Sequence, residues 1–206
     1  MNTLGPLIRI VDDDPGFLTA MSRMLRASGF EVKTFASAAD FLARTEHDVP
    51  GCVLVDLQMP GMNGLELQVA LMKEGLKLPV IFLSSQGDIP STVQAMRRGA
   101  EDFLTKLAPK EEVLDAINRA VDRDSRERTE RVQWEALQAR FNVLTLRERE
   151  VLQHIVQGKL NKQIAYDLGI NERTVKQHRS NIKAKFDIHS TAELTKLWIK
   201  FVGAEE

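Results

Sequence analysis

In the first 120 residues, short and nearly continuous apolar runs alternate with stretches of helical spacing. The runs are Leu7–Val11, Cys52–Val55, Val80–Leu83 and Phe103–Leu104. The first three are almost unbroken, as strands covered on both faces require. Glu31–Phe35 alternates instead, with Val32 between Glu31 and Lys33, and reads as an edge strand. Phe17, Leu18, Met21, Met24 and Leu25 form one stripe of a helix, with Asp14 placed to cap it and Pro15 suited to its first turn. Strand–helix alternation of this kind predicts a doubly wound α/β domain with a parallel five-stranded sheet, over residues 1–121.

A long helical pattern covers residues 110–140. It starts with an apolar face of Val113, Leu114, Ile117, Ala120 and Val121, then turns almost wholly charged over Asp122–Arg131. Two readings stand for 122–143: a solvated linker helix, or a dimerising coiled coil using Val132 and Leu137. Residues 144–206 read as all helix. Thr145 with Glu148, and Ser190 with Glu193, have the spacing of capping boxes. Gly169 is a stop for a helix near Asn161–Leu168, and Asn171 a cap for one near Glu172–Phe186, with Ile170 and Val175 spaced as a hydrophobic staple.

Charge sharpens this division. The net charge of −1 averages unlike regions: residues 1–120 carry 12 Lys/Arg against 16 Asp/Glu, and residues 144–206 carry 11 against 8. An acidic module joined to a nucleic-acid-binding one is the expectation. Cys52 is the single cysteine, so no disulfide forms within the chain, and its apolar run reads it as a buried thiol. No apolar stretch approaches the ~18 residues that span a bilayer. Met1–Pro6 lacks the basic start of a signal peptide. The expectation is a cytoplasmic protein without a membrane partner.

Candidate chemistry gathers at strand ends. Asp12 and Asp13 follow the first strand, Asp56 the third, Ser84 the fourth and Lys106 the fifth. Sites in doubly wound sheets form beyond the carboxyl ends of the strands. With strand order 2-1-3-4-5, two or three carboxylates converge there with one ammonium nearby. Clustered carboxylates repel, and Mg²⁺ relieves that repulsion while keeping positions for phosphate oxygens. Such an ion could orient a phosphoryl donor against Asp56 as nucleophile, with Lys106 and the Ser84 hydroxyl on the phosphate oxygens.

A second chemistry sits in 144–206. On a helical wheel of Glu172–Phe186, Val175, Ile182 and Phe186 share one face and Lys176, Ser180 and Lys183 the other, flanked by Arg173 and Gln177. Seven Lys/Arg against two acids lie between Lys159 and Lys185. Two helices joined by a short glycine-containing turn fit a helix-turn-helix, whose second helix enters the major groove. Its cations attract phosphate, and amides and hydroxyls reach base edges. His178 lies near the packed face, so a structural histidine and a ligand are both open.

Ile10-Val-Asp-Asp-Asp-Pro15, Val53-Leu-Val-Asp56-Leu-Gln-Met-Pro60-Gly-Met-Asn-Gly64, Ile81-Phe-Leu-Ser84 and Asp102-Phe103-Leu-Thr-Lys106 resemble the receiver domain of response regulators. The resemblance implies a flavodoxin-like fold, Asp56 as acceptor of a phosphoryl group from a histidine kinase, and Mg²⁺ on Asp13, Asp56 and the Gln58 backbone carbonyl, with Asp12 in the acid pocket. It also implies a switch pair, Ser84 and Phe103, although Phe103 reads equally as a core aromatic. Leu144-Thr-Leu-Arg-Glu-Arg-Glu-Val-Leu152, Asn161-Lys-Gln-Ile-Ala165, Leu168-Gly-Ile170 and Thr174-Val-Lys-Gln-His178 resemble the LuxR/NarL-type output domain. That implies a four-helix domain reading double-stranded promoter DNA. By position, Lys176, Gln177 and Ser180 would face bases, Lys159, Asn161, Thr174, His178, Arg179 and Lys183 are phosphate or packing candidates, and Arg173 flanks the DNA-binding face. The whole looks most like the FixJ-like branch, with homodimerisation when phosphorylated.

One position departs from the family. Leu107 follows Lys106 where proline is usual, and a cis bond there costs several kcal/mol more than before proline. This favours one rival reading, a DNA-binding regulator whose receiver is degenerate. A third reading, a phosphatase or phosphotransferase on small substrates, is opposed by Gln58, which stands where such enzymes carry a second aspartate.

Overall fold

The structure, a computed structural model, describes residues 5–44, 49–85 and 89–203. Most of the Met1–Pro6 segment read above for a signal therefore lies outside the described residues. Two compact units divide the chain, Met1–Arg128 and Thr129–Glu206.

The first unit is a parallel sheet of β1 (Leu7–Val11), β2 (Glu31–Phe35), β3 (Gly51–Asp56), β4 (Val80–Ser84) and β5 (Asp102–Thr105) in the order β2-β1-β3-β4-β5. β1, β3 and β4 are buried throughout, while β2, at the edge, buries only Val32 and Phe35. Successive side chains point to opposite faces of a strand, and two cores result. Val11, Val53, Val55, Val80 and Phe82 pack with α2 (Ala38–Leu42), α3 (Gly64–Lys73) and α4 (Ile89–Arg97). Ile8, Ile10, Cys52, Leu54, Ile81 and Leu83 pack with α1 (Pro15–Ala27) and the start of α5 (Lys110–Asn142). Burial pushes the Cys52 thiol up to about 12, so it stays protonated and inert. Among the described residues no helix is long and apolar enough to cross a membrane.

α5 departs from the solvated-linker reading. Asp124, inside the charged run, is only 1% exposed. Its Oδ2 accepts the Gly51 N–H at 2.8 Å, and the Arg128 Nε lies 2.8 Å from the same oxygen. Arg9, the one charge within β1, is also buried and donates to the carbonyls of Leu7 and Val49 at 3.1 and 2.9 Å. Burial pulls its guanidinium below its usual value, and the Asp124 carboxylate opposes that. Arg123 bridges Glu101 at 3.1 Å and Glu127 at 2.7 Å. The charged run thus begins as part of the first unit's folded base.

The end of α5 enters the second core. Leu137 and Phe141 are buried there with Leu144, Val151, Leu152, Ile155, Ile164, Val175, Ile182, Phe186 and Leu194. Phe141 stacks on Phe201 at 4.2 Å, and Trp134 on Phe201 at 5.3 Å. Leu137 is therefore consumed by a globular core, and Val132 is left 65% exposed. The coiled-coil reading loses its second apolar position. α6 (Leu146–Val156), α7 (Asn161–Leu168), α8 (Glu172–Phe186) and α9 (Thr191–Val202) complete this unit. The Thr145–Glu148 capping box forms as read, and Gly169 ends α7 at φ 63°, a left-handed conformation that favours glycine.

Candidate functional site

β1 and β3 are neighbours, so the residues after them meet at one edge. Carboxylate oxygens of Asp12, Asp13 and Asp56 all lie within 4.8 Å of one another. Asp12 and Asp56 are buried and Asp13 is exposed. Lys106 extends the β4–β5 ladder by donating its backbone N–H to Ser84 O at 2.9 Å. Its Nζ then reaches Asp12 Oδ2 at 2.6 Å and Asp56 Oδ2 at 2.9 Å. The bond before Leu107 is trans, and the Leu107 side chain is 93% exposed. Losing the family's proline thus leaves the ammonium in the pocket.

Local backbone fixes the Asp12 and Asp56 carboxylates. Asp12 Oδ1 takes the Asp14 N–H at 2.9 Å, and Asp56 Oδ1 takes the Gln58 N–H at 3.2 Å. Gly64, the first residue of α3, lies so close that a Cβ there would sit 2.4 Å from the Asp56 carbonyl oxygen. Only glycine lets α3 start against the backbone of Asp56. Burial raises the Asp12 carboxyl above its usual range, although Lys106 and the Asp14 N–H pull the other way. Burial opposes the Lys106 ammonium, but the two carboxylates outweigh it and raise its pKa. Three carboxylates facing one ammonium leave an excess of negative charge, the donor set of a hard divalent cation.

Ser84 ends β4, is 1% exposed, and sits one residue beyond Leu83, the register partner of Asp56. Phe103 is half-buried and stacks on Phe82, ring centroids 5.9 Å apart.

In the second unit, α8 presents Arg173, Lys176, Gln177 and Ser180 as exposed residues at positions i, i+3, i+4 and i+7, which lie on one helical face. Val175, Ile182 and Phe186 are wholly buried on the other. Lys176 pairs loosely with Glu172 at 3.3 Å, and Gln177 donates to Asn181 at 2.8 Å. The remaining candidates are more engaged. Thr174 gives its hydroxyl to Asn171 at 2.9 Å, Lys183 donates to the His189 carbonyl at 3.1 Å, and Lys159 pairs with Asp167 at 2.7 Å. Asn161 opens α7, half-buried. His178 is half-buried, and its Nδ1 lies buried without a hydrogen-bond partner among the described residues.

Apart from Arg179, already a phosphate or packing candidate by sequence, sequence reasoning missed the residues that aim α8. Lys185 donates to Glu148 at 2.7 Å and to the Val143 carbonyl at 3.1 Å, Arg140 donates to the Phe186 carbonyl, and Arg179 to Thr191 at 3.3 Å. Their partners lie up to 46 positions away, beyond any periodicity.

Known proteins share both halves. Residues 8–118 match the response regulator receiver domain, and residues 142–198 match the luxR family of bacterial regulatory proteins. Response regulator protein TmoT of Ectopseudomonas mendocina is 41% identical over 197 residues, spanning 96% of this chain and 90% of that protein. The solved structure of response regulator StyR superposes with a TM-score of 0.88 at 41% identity, over 95% of this chain and 99% of that one. Full-length FixJ from B. japonicum gives a TM-score of 0.59 at 30% identity, over 97% and 98% of the two chains. The chain is thus a transcriptional response regulator and belongs to the family in which a receiver domain precedes a LuxR-type DNA-binding domain.

Proposed function

We propose that Asp56 is the phosphoacceptor and that its phosphorylation by a sensor histidine kinase controls DNA binding through α8. The observation carrying this reading is the convergence of Asp12, Asp13, Asp56 and Lys106 at the carboxyl end of the sheet. An Asp56 oxygen attacks the phosphorus of the kinase's phosphohistidine. The P–N bond breaks, and the imidazole keeps the electron pair and takes a proton. Lys106 and the Ser84 hydroxyl bind oxygens of the transferred group, while Asp12 and Asp13 hold the positive charge that offsets it. The carboxylates, with the Gln58 carbonyl, fit Mg²⁺, which when bound supplies Lewis-acid stabilisation of the phosphoryl oxygens.

Ser84 drawn to the phosphate vacates space that Phe103 fills, altering the surface around α4, β5 and the start of α5. Homodimerisation through that surface then brings two output domains to one operator. The phosphoacceptor function resides in residues 1–121 and DNA reading in 144–206, with 122–143 joining them. Arg173, Lys176, Gln177 and Ser180 form the reading face, and Lys159, Asn161, Thr174 and Lys183 flank it. The protein works as a cytoplasmic regulator and turns over no small substrate. Leu107 was the ground for a degenerate receiver, and with Lys106 between Asp12 and Asp56 that ground weakens.

Intact mass after incubation with a small acyl phosphate and Mg²⁺ tests the reading. Wild type takes up one phosphate, Asp56→Asn takes up none, and only wild type gains promoter affinity. Equal gain by both proteins would overturn it.

A further inference from the structure

Lys106 ends in a four-carbon stem whose charged tip is flexible unless held. Its backbone is fixed by the β4–β5 ladder, but Leu107 beyond it points to solvent and restrains nothing. Two of the contacts at the tip are the carboxylates of Asp12 and Asp56. A third is aromatic: Nζ stands 4.7 Å from the ring centroid of Phe17, within cation–π range.

The ring is placed by the same loop that builds the acid pocket. Asp14 donates its N–H to Asp12 and accepts the N–H groups of Gly16 and Phe17 on its Oδ1, at 2.8 and 3.2 Å. Phe17 therefore sits on the first turn of α1 with its backbone tied to Asp14, whose own N–H is held by Asp12 of the pocket. It is half-buried, with neighbours from the α1 core on one side and the ammonium on the other.

We infer that Phe17 is a positioning residue for phosphoryl transfer, holding the Lys106 ammonium at the acceptor through the face of its ring. The inference rests on Asp56 being the phosphoacceptor. A divalent cation drawn to Asp12 and Asp56 competes with the ammonium for those carboxylates, whereas the ring takes no part in that competition. The ring is thus the contact that keeps Lys106 at hand when the carboxylates are engaged elsewhere. A purely packing role for Phe17 would be served by any apolar side chain of similar size.

Wild type, Phe17→Leu and Phe17→Tyr, each as the full chain, distinguish the two. One readout is the rate of phosphate uptake from an acyl phosphate with Mg²⁺. The other is reductive methylation of Lys106 with Mg²⁺ present, so that the carboxylates are engaged by the cation, followed by peptide mass. The leucine variant is expected to take up phosphate about fivefold more slowly, equivalent to ~1 kcal/mol, and to methylate Lys106 severalfold faster. The tyrosine variant restores both rates. Leucine rates equal to wild type, or a loss that tyrosine does not restore, overturn the inference. If leucine unfolds the chain, Phe17→Met serves as the variant without an aromatic face. Absence of uptake by wild type would sink the Asp56 reading instead, and the methylation comparison would still decide whether the ring holds Lys106.

Discussion

Glu148 is a carboxylate only 3% exposed, inside a domain whose partner is a polyanion. Burial alone would raise its pKa, but Lys185 at 2.7 Å and the Thr145 N–H at 2.8 Å outweigh burial and hold it below the usual value. A depressed carboxyl contributes stability that is present above its unfolded pKa and lost as pH falls through the folded one. The second unit should therefore be steady down to about pH 4.5 and weaken below it. Glu148→Gln should cost ~1–3 kcal/mol at neutral pH and flatten the acid limb. Trp134 and Trp198 both lie in this unit, so urea unfolding followed by tryptophan fluorescence at several pH values reads it directly. An acid limb as steep in the variant as in wild type would remove Glu148 from the account. At this scale the sequence pointed to the candidate residues that the structure brings together, and not to their supports. Asp12, Asp13, Asp56 and Lys106 stand out because each follows an apolar run. Phe17 falls on the apolar stripe of α1 and so reads as core, and Glu148 reads only as a capping residue.

The elements themselves were legible where pattern and burial coincide. Unbroken runs became the buried strands, the alternating run became the edge, and Gly169 with Asn171 marked the turn between α7 and α8. α5 was legible as a helix but not as to what it touches. A charged run looks solvated until tertiary structure supplies a partner, and Asp124 finds one in the Gly51 N–H, 73 positions away. The buried carboxylate also acts electrostatically on Arg9, so its removal takes stabilisation from a buried guanidinium as well as the Gly51 contact. Asp124→Ala should destabilise the first unit by roughly 3 kcal/mol. Asp122→Ala, an exposed neighbour, should fall within about 0.5 kcal/mol of wild type. Urea unfolding followed by far-UV circular dichroism compares them. Similar midpoints for the two variants would mean that the Asp124 cluster does not fasten α5.

Charge decides how the molecule as a whole can respond to phosphate. Residues 1–120 already carry four more acids than bases, and residues 144–206 carry three more bases than acids. A phosphoryl group adds about −1.5 to −2 to the acidic part. DNA is itself a polyanion, so long-range electrostatics make phosphorylation slightly unfavourable for DNA binding. On the dimerisation mechanism proposed above, the gain in affinity comes from association of chains, each supplying one α8 to a half-site about one helical turn from the other. The dependence on site geometry follows. On DNA with two properly spaced half-sites, phosphorylation should raise the affinity of wild type tenfold or more, with a steeper dependence on protein concentration. On DNA with a single half-site, the two states should bind alike to within about twofold, and Lys176→Ala should weaken both. Fluorescence anisotropy on the two duplexes at fixed salt measures this. A tenfold gain on the single half-site would show that phosphate acts within one chain, by changing α8 itself, and would end the dimerisation mechanism.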